Sequence, residues 1–582
     1  MAAEISADDP TTHPQPFLRR PVLDLDGPWA FSGGVGARDA TFDRQIMVPY
    51  APESPASGIG SAEKIGRCAY RRALPVEAPT DGRRLLLHFG AIDRLASVSV
   101  GGDWVGAHEG GYDPFSVDIT RQAKAGADLV IDVEDDPHDL EAPRGKQEWL
   151  DAPHGIWYPR TTGIWRSVWL EVVPETRIGS LQWSCDLPTM TVSLHTRLVG
   201  SWDLGELHVR ARLRAAGRIV AEGMGRAFQP EVAMTLGVGD GGLDDRSSLT
   251  WWPRRPLLFD AEIALVDGSG NVVDEVKSNT AMRSVAVADG QVRINNRPTF
   301  LRLALDQGYW PETGMTPPNS QALRDDLELA RSMGFNGVRK HQKTEDPRFF
   351  AWADRLGMLI WVEMPSAHRP SVLAAERLAS EWSKIVAAHR NYPSVVGWVP
   401  INESWGVAAA ATDPRQRALV AGLAHLTAAL DGTRPVSPND GWETTGGDIV
   451  GVHDYTQARE PLERRFATSA DVDRVVRQGL PSGHRVDLEG QGADGRAVVL
   501  SEFGGVALSD DAGAWGYQRA SSPDDLLARY RDLWAAVHAS DTLAGACWTQ
   551  LTDTYQEANG LARMDRSPKV DVDLLAEATR GR

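Results

Sequence analysis

From about Ser284 onward the chain alternates short, nearly continuous apolar runs with helical patterns, a rhythm that few folds accommodate. The runs are Thr299 to Leu305, Gly337-Val338-Arg339, Met358 to Val362, Val395 to Ile401, Pro435-Val436-Ser437, Ile449 to Val452, Ala497 to Leu500 and Ala544 to Trp548. Between them, Ser320 to Met333 places Leu323, Leu327 and Ala330 on one helical face and stops at Gly334. Further helices are expected from about Pro347 to Leu356 and through Trp382 to His389. Strands covered on both faces lose polar alternation, and strands separated by helices pair in parallel. Eight such runs predict a (β/α)8 TIM barrel over residues 284–582.

Barrels of this kind do chemistry just past the C-terminal ends of their strands. The fourth run meets Asn402-Glu403 and the seventh meets Ser501-Glu502. A carboxylate after a strand is often a helix cap or half of an ion pair. Two on separate strand ends are what glycoside hydrolysis requires, one to donate a proton and one to act as nucleophile or base.

Upstream the texture differs. Ala96-Ser97-Val98-Ser99-Val100 alternates and meets Gly101-Gly102, a hairpin signal, and Leu207 to Leu213 and Phe259 to Leu265 alternate likewise. Two tandem β-sandwiches are expected, over residues 1–174 and 175–283. The 582-residue length calls for several domains.

A net charge of −18 argues against nucleic acid or an anionic membrane as partner, since both select basic surfaces. No apolar run reaches membrane-spanning length, and Met1 to Pro10 has neither the basic nor the apolar region of a secretion signal, so a cytoplasmic location is expected. Cys68, Cys185 and Cys547 are too few and too scattered for a disulfide framework. No His-x-x-x-His or Cys-x-x-Cys spacing indicates a metal, and no cofactor is expected. Tryptophan is abundant, at 20 residues, and Trp361, Trp398, Trp405 and Trp548 fall near strand ends, where flat rings suit sugar faces.

Several segments carry a resemblance. Gly334-Phe335-Asn336-Gly337-Val338-Arg339-Lys340-His341, His389-Arg390-Asn391-Tyr392-Pro393, Asn402-Glu403-Ser404-Trp405-Gly406 and Ser501-Glu502-Phe503-Gly504-Gly505 resemble glycoside hydrolase family 2, the β-galactosidases, β-glucuronidases and β-mannosidases. His108 to Phe115 and Gly163 to Leu170 are similar to that family's N-terminal sugar-binding-like sandwich. The resemblance implies a jelly-roll-like sandwich, an immunoglobulin-like sandwich and a barrel, in that order, and a retaining exo-glycosidase of two-step mechanism.

It implies Glu403 as the general acid and base and Glu502 as the nucleophile, with Glu403 raised in pKa by the nearby charge and Glu502 ionised. By the same resemblance Asn402 hydrogen-bonds the sugar 2-hydroxyl, Tyr455 the nucleophile, and His341 substrate hydroxyls or the nucleophile's surroundings. Arg339 either pairs with Glu502 or ties strand ends together. Trp548 is expected as a sugar platform, Asp306 and Gln307 as a hydroxyl-binding pair, and Trp157 near a loop that enters the barrel mouth. Glucuronidases carry an Asn-x-Lys pair ahead of an Asp-Arg-x-Pro-Lys stretch; here Asp565-Arg566-Ser567-Pro568-Lys569 is preceded by Glu557-Ala558-Asn559-Gly560. An acid there cannot clamp a carboxylate, so a neutral sugar of β-galactosidase type is expected. The altered loop Gln342-Lys343-Thr344-Glu345 leaves room for a β-galactofuranosidase or α-L-arabinofuranosidase. A catalytically dead carbohydrate-binding protein is the rival of another class, and a homodimer is expected by analogy.

Overall fold

The computed structural model describes residues 16–19, 21–201, 206–239, 246–480, 483–511 and 513–581. The N-terminal unit is a jelly-roll-like sandwich of two antiparallel sheets. One runs Val22–Asp24, Val168–Val173, Arg84–Phe89, Phe115–Asp118, and the other Arg44–Val48, Gly27–Gly33, Arg67–Ala73, Asp128–Glu134, Leu95–Val100, Asp103–Glu109. Inward-facing Leu85, Leu87 and Phe89 of the first sheet pack on Val98, Val100, Ile131 and Val133 of the second. Gly101 and Gly102, at φ 58° and 92°, turn the hairpin between Leu95–Val100 and Asp103–Glu109, a conformation glycine reaches without penalty. The second unit is an immunoglobulin-like sandwich of a three-stranded and a four-stranded sheet, with Val192, Leu194, Val209, Leu213, Ile263 and Val276 between them.

The barrel follows. Its parallel sheet runs in the order Val395–Val399, Leu359–Glu363, Gly337–Lys340, Leu301–Asp306, Gly545–Thr549, Ala497–Gly504, Ile449–Asp454. That is the ring of strand positions four, three, two, one, eight, seven and six. The fifth position holds no extended strand. The Pro435 to Asp440 segment closes the ring through isolated bridges, Trp398 with Val436 and Asn402 with Asp440, while the amides of Asp448 and Ile449 donate to the Val436 carbonyl. Pro435 and Pro438 lack N–H donors, so a full ladder cannot form there. A small antiparallel sheet, Val285–Ala288, Gln291–Ile294, Arg297–Pro298, plugs the N-terminal floor with Val292 and Ile294 against Leu303, Leu359 and Val499.

Helices begin where the sequence supplies caps: Asn319, Asp346, Ser371, Asp413, Thr468, Ser522 and Asp571 each accept a hydrogen bond from a first-turn amide. No helix among the described residues is long and apolar enough to cross a membrane.

Alternation along each barrel strand sorts side chains between interior and helix layer. On the eighth strand Cys547 joins the interior cluster and Trp548 the helix-facing one. The seventh strand departs from strict alternation. Its pairing shifts by one residue between Leu500 and Phe503 against the eighth strand, and a matching shift separates Gly451 from His453 on the sixth. The extra residue is a β-bulge, and it turns Glu502 into the interior when unbroken alternation from Val498 and Leu500 would aim it at the helices.

The first sandwich grips the barrel through two of the segments singled out above. Gly111 and Tyr112 donate their amides to Glu381 Oε1 at 2.8 and 2.7 Å, and Trp165 Nε1 donates to the Gly111 carbonyl at 2.8 Å. Arg166 reaches the Thr344 carbonyl of the barrel. Burial, reinforced by the nearby Asp113 charge, pushes the Glu381 carboxyl up to about 8. A carboxyl raised by folding stabilises the folded chain in its protonated form. Its contribution is full below the ordinary glutamate value and fades as pH rises through 8. Glu381→Gln, which mimics the protonated group, is expected to unfold at pH 8.5 at a higher denaturant midpoint than the parent and at pH 4 at the same one. Equal midpoint changes at the two pH values would show that Glu381 does not titrate at this contact.

Candidate active site

Glu403 and Glu502 both reach the C-terminal mouth, by different routes. Strand four ends at Val399, and the chain carries Glu403 beyond it at φ 49°, followed by Ser404 at φ 54°. Two consecutive non-glycine residues in the left-handed region cost on the order of 1–3 kcal/mol each, and such strain gathers at functional sites. It is held by the Asp440 carbonyl, which accepts from the Glu403 amide at 2.9 Å, and by Asn439 Oδ1, which accepts from the Ser404 amide at 3.0 Å. Glu502 lies inside strand seven, on the bulge.

Arg339 sits beneath both, fully buried. Its guanidinium pairs with Glu363 at 2.9 Å, Asp440 at 2.7 Å and Glu502 at 3.1 Å, and it donates to Asn402 Oδ1 at 2.6 Å and to the Ser501 carbonyl at 3.0 Å. It contacts Glu502 and also joins the ends of several strands. Tyr455, just past strand six, donates its hydroxyl to Glu502 Oε2 and stacks on Tyr517 at 3.4 Å.

His453 was not anticipated. It lies between the carboxylates, with Nδ1 2.7 Å from Glu403 Oε1 and Nε2 3.0 Å from Asp440 Oδ2 and 3.5 Å from Glu502 Oε1. The signal was present: Val450 and Val452 face the helices, so alternation aims His453 inward. Burial alone would lower its pKa, but Glu502, Asp440 and Glu403 outweigh it and push the imidazole up to about 10. Burial would likewise raise Glu403, but the His453 hydrogen bond and charge prevail and hold its carboxyl below the ordinary range. The expectation of a raised Glu403 is therefore corrected. The cation between the two glutamates reverses the effect of their like charges.

His341 is buried behind the site, where Nδ1 lies 3.1 Å from Glu363 Oε1; burial, with Lys146 nearby, holds it well below the usual imidazole value. Asp306 does not offer a free carboxylate. Lys340 Nζ lies 2.6 Å from it and the Gly308 amide donates to it at 2.8 Å, so it forms a buried ion pair in place of half a hydroxyl-binding pair. Its partner Gln307 donates to Gln550 Oε1 at 2.9 Å. Trp548 is also corrected. It packs fully buried against Phe503 and Tyr530, on the helix side of its strand, and Thr549 takes the inward place, 3.4 Å from the Tyr455 hydroxyl. Trp361 and Trp398 are core residues as well, and of the four strand-end tryptophans only Trp405 is half-buried.

Trp405 borders an aromatic wall supplied by the first sandwich. The 136–162 segment crosses onto the barrel, where Arg144 and Gly145 donate their amides to the Ser366 carbonyl at 3.0 and 3.1 Å and Gln556 Nε2 donates to the Trp157 carbonyl at 2.8 Å. Trp157 meets Trp405 edge-on at 4.9 Å, which places it at the mouth as expected. The same segment brings in Lys146. Its ammonium lies 5.3 Å from the Trp157 ring; burial raises the Glu557 carboxyl above its ordinary range, while the Lys146 charge opposes that rise and helps to lower Glu403. Among the described residues Lys146 has no hydrogen-bond or ion-pair partner. Glu557 is buried, accepting from the Tyr158 hydroxyl and from Asn559 Nδ2 at 3.0 Å.

Buried polar atoms without protein partners gather here: Asn402 Nδ2, Gln307 Oε1, Gln550 Nε2 and Asn559 Oδ1. Buried donors and acceptors are rarely left unpaired, and a set of both kinds around two carboxylates matches a ligand rich in hydroxyls.

Residues 285–466 match the profile described as "Glycosyl hydrolases family 2, TIM barrel domain". The barrel segment is thus similar to the barrel domain of glycoside hydrolase family 2. A β-galactosidase of Thermoanaerobacter pseudethanolicus is 26% identical over 346 residues, 58% of this chain and 44% of that protein, so the chain spans less than half the length of this relative. Among solved structures, a β-galacturonidase from Eisenbergiella tayi superposes with a TM-score of 0.74 over 97% of each chain at 18% identity. A β-glucuronidase from Bifidobacterium dentium gives 0.76 over 96% of this chain and 97% of its own, also at 18% identity. These likenesses show the fold of two sandwiches and a barrel.

Trp548→Ala is expected to lower stability by about 3–5 kcal/mol through the cavity it leaves. Trp548→Phe, which keeps most of the volume, should leave KM for any cleaved glycoside within about twofold. A tenfold rise in KM for folded Trp548→Phe would return the residue to the sugar pocket.

Proposed function

We propose that this chain removes terminal non-reducing sugar residues from glycosides with retention of anomeric configuration, by double displacement. The carboxylate separation carries this reading: an oxygen of Glu403 and an oxygen of Glu502 lie within 4.8 Å. Retaining pairs stand about 5–5.5 Å apart, and inverting pairs about 6.5–9.5 Å, to admit a water. Glu502 acts as nucleophile, paired with Arg339 and aimed by the Tyr455 hydroxyl. Glu403 protonates the glycosidic oxygen in the first step and deprotonates the attacking water in the second. Asn402, its Oδ1 fixed by Arg339, has Nδ2 left to donate to a sugar hydroxyl beside the reacting carbon.

The sugar is neutral, of β-galactosidase type, in the reading that Glu557 supports. A buried acid in the place where glucuronidases carry their Asn-x-Lys clamp repels a sugar carboxylate. Lys146 favours a second reading, a uronide, because an ammonium without a protein partner at the mouth matches a carboxylate and the similar structures include a β-galacturonidase.

A panel of nitrophenyl galactosides, glucosides, galacturonides and glucuronides, with galactofuranosides and arabinofuranosides beside them, separates these readings. Highest kcat/KM on a neutral pyranoside supports the first. Preference for a uronide that Lys146→Met lowers by about tenfold or more supports the second. In either case proton NMR of the first-formed sugar should show the substrate's own anomer. Glu403→Gln should lower kcat/KM by roughly 10²–10⁴-fold on a poor leaving group, and Glu502→Gln should reduce turnover to background. An inverted first product contradicts the mechanism.

A further inference from the structure

His453 stands where no step assigned so far uses it. Its ring is held on every side. Glu403 from the fourth strand end faces Nδ1; Asp440 from the fifth position and Glu502 from the seventh strand face Nε2. Arg339 Nη1 from the second strand lies 3.4 Å from Nε2, and His341 stands beyond it. Gly441, at φ 90°, lies against the ring so closely that a Cβ there would come within 2.5 Å of it.

Both ring nitrogens therefore point at carboxylate oxygens, which accept hydrogen bonds and do not donate when ionised. Asp440 is committed as an acceptor, with Arg339 Nη1 2.7 Å from its Oδ2 and the Ser437 hydroxyl donating to its Oδ1 at 3.0 Å. The 3.0 Å contact of Nε2 with Asp440 Oδ2, shorter than the 3.4 Å approach of Arg339 Nη1, favours a hydrogen on Nε2, which leaves one shareable proton along the 2.7 Å line between Nδ1 and Glu403 Oε1. Two arrangements of equal net charge result: imidazolium with an ionised Glu403, or neutral imidazole with a protonated Glu403.

We infer that His453 holds the proton Glu403 delivers to the leaving group, and takes it back when the glycosyl-enzyme is hydrolysed. The inference rests on the retaining mechanism proposed above. In the first half-reaction a Glu502 oxygen bonds to the anomeric carbon as the glycosidic C–O bond breaks and its electron pair departs on the aglycone oxygen. That oxygen takes the single shared proton, which passes from Nδ1 through Glu403, leaving Glu403 ionised and the ring neutral. Ester formation also removes the Glu502 charge 3.5 Å from Nε2, and with it one of the groups that hold the proton on the ring. In the second half-reaction water bonds to the anomeric carbon, the Glu502 carboxylate leaves, and the proton lost by water passes through Glu403 back to Nδ1. Atoms and charge balance without a co-reactant. His453 acts through Glu403 and is a positioning residue.

The test compares wild type, His453→Asn and His453→Gln on two glycosides of the sugar that wild type cleaves. One has a methylumbelliferyl leaving group, the other a 2,4-dinitrophenyl group that departs without protonation. The variants should lose roughly 10²-fold or more in kcat/KM on the first substrate and less than about tenfold on the second, the share expected of proton donation. KM for the dinitrophenyl glycoside should stay within about threefold. The basic limb of the pH profile should move down toward the ordinary carboxyl range, because the proton then resides on Glu403 alone. Imidazole 15N spectra of histidine-labelled wild type should show both His453 nitrogens protonated at pH 8, and Glu403→Gln should lower the pH at which one is lost. Equal losses on both leaving groups, an unmoved basic limb, or a singly protonated ring at pH 8 overturn the inference. Failure of the mechanism beneath it reads differently: wild type itself then cleaves neither substrate or releases the inverted sugar.

Discussion

A fully buried guanidinium organises this barrel. Arg339 has no water to solvate it, and a charge so placed is tolerated only when paired and hydrogen-bonded throughout. Glu363, Asp440, Glu502, Asn402 and the Ser501 carbonyl meet that demand. They come from the third strand, the fifth position, the seventh strand and the end of the fourth. One side chain thus fixes the relative placement of four strand ends and sets Glu502, the Asn402 amide beside Glu403 and the Asp440 anchor of His453 in register. Removing one partner of such a group typically costs about 3–5 kcal/mol, which confers rigidity on the mouth more than net stability.

The site is completed from outside the barrel. Lys146 and Trp157 arrive on a segment of the first sandwich that is tied at both sides. Gln147 Nε2 donates to Asp93 Oδ2 at 2.7 Å within the sandwich, and Arg144 and Gly145 donate to Ser366 on the barrel. Glu381 and Arg166 make the wider contact between the two units. The His108 to Phe115 and Gly163 to Leu170 segments therefore serve the interface that positions the loop, and their sequence resemblance reflects a docking role. The first sandwich thus lends Lys146 and Trp157 to the mouth, while the two glutamates belong to the barrel alone.

Much of this was legible in the chain. Apolar runs gave the barrel strands, the face of Leu323, Leu327 and Ala330 with the stop at Gly334 gave the first helix, and Glu403 and Glu502 stood out because each follows an apolar run. The fifth strand was overread, since Pro435 and Pro438 permit only bridges. Trp548 and Thr549 differ by one residue and face opposite layers, so the tryptophan's chemistry suggested a sugar platform that strand parity denies it. The bulge at Glu502 was invisible, because pairing register depends on the neighbouring strands. Asp306 looked free because its partner Lys340 lies at the end of the next strand. His453 followed from parity alone but, without its three carboxylates in view, was indistinguishable from a structural histidine. Lys146 lay beyond sequence reasoning, being far along the chain from both glutamates.

The proposed mechanism requires Glu502 to attack the anomeric carbon while Glu403 manages the proton. Incubation with the 2-deoxy-2-fluoro glycoside of the sugar that is cleaved, bearing a dinitrophenyl leaving group, slows the second half-reaction and lets the covalent species accumulate. Mass spectrometry of the digested protein should then find one glycosyl adduct, on the peptide containing Glu502, formed with a stoichiometric burst of dinitrophenol. An adduct on Glu403 or elsewhere, or turnover of the glycoside without any adduct, would contradict it.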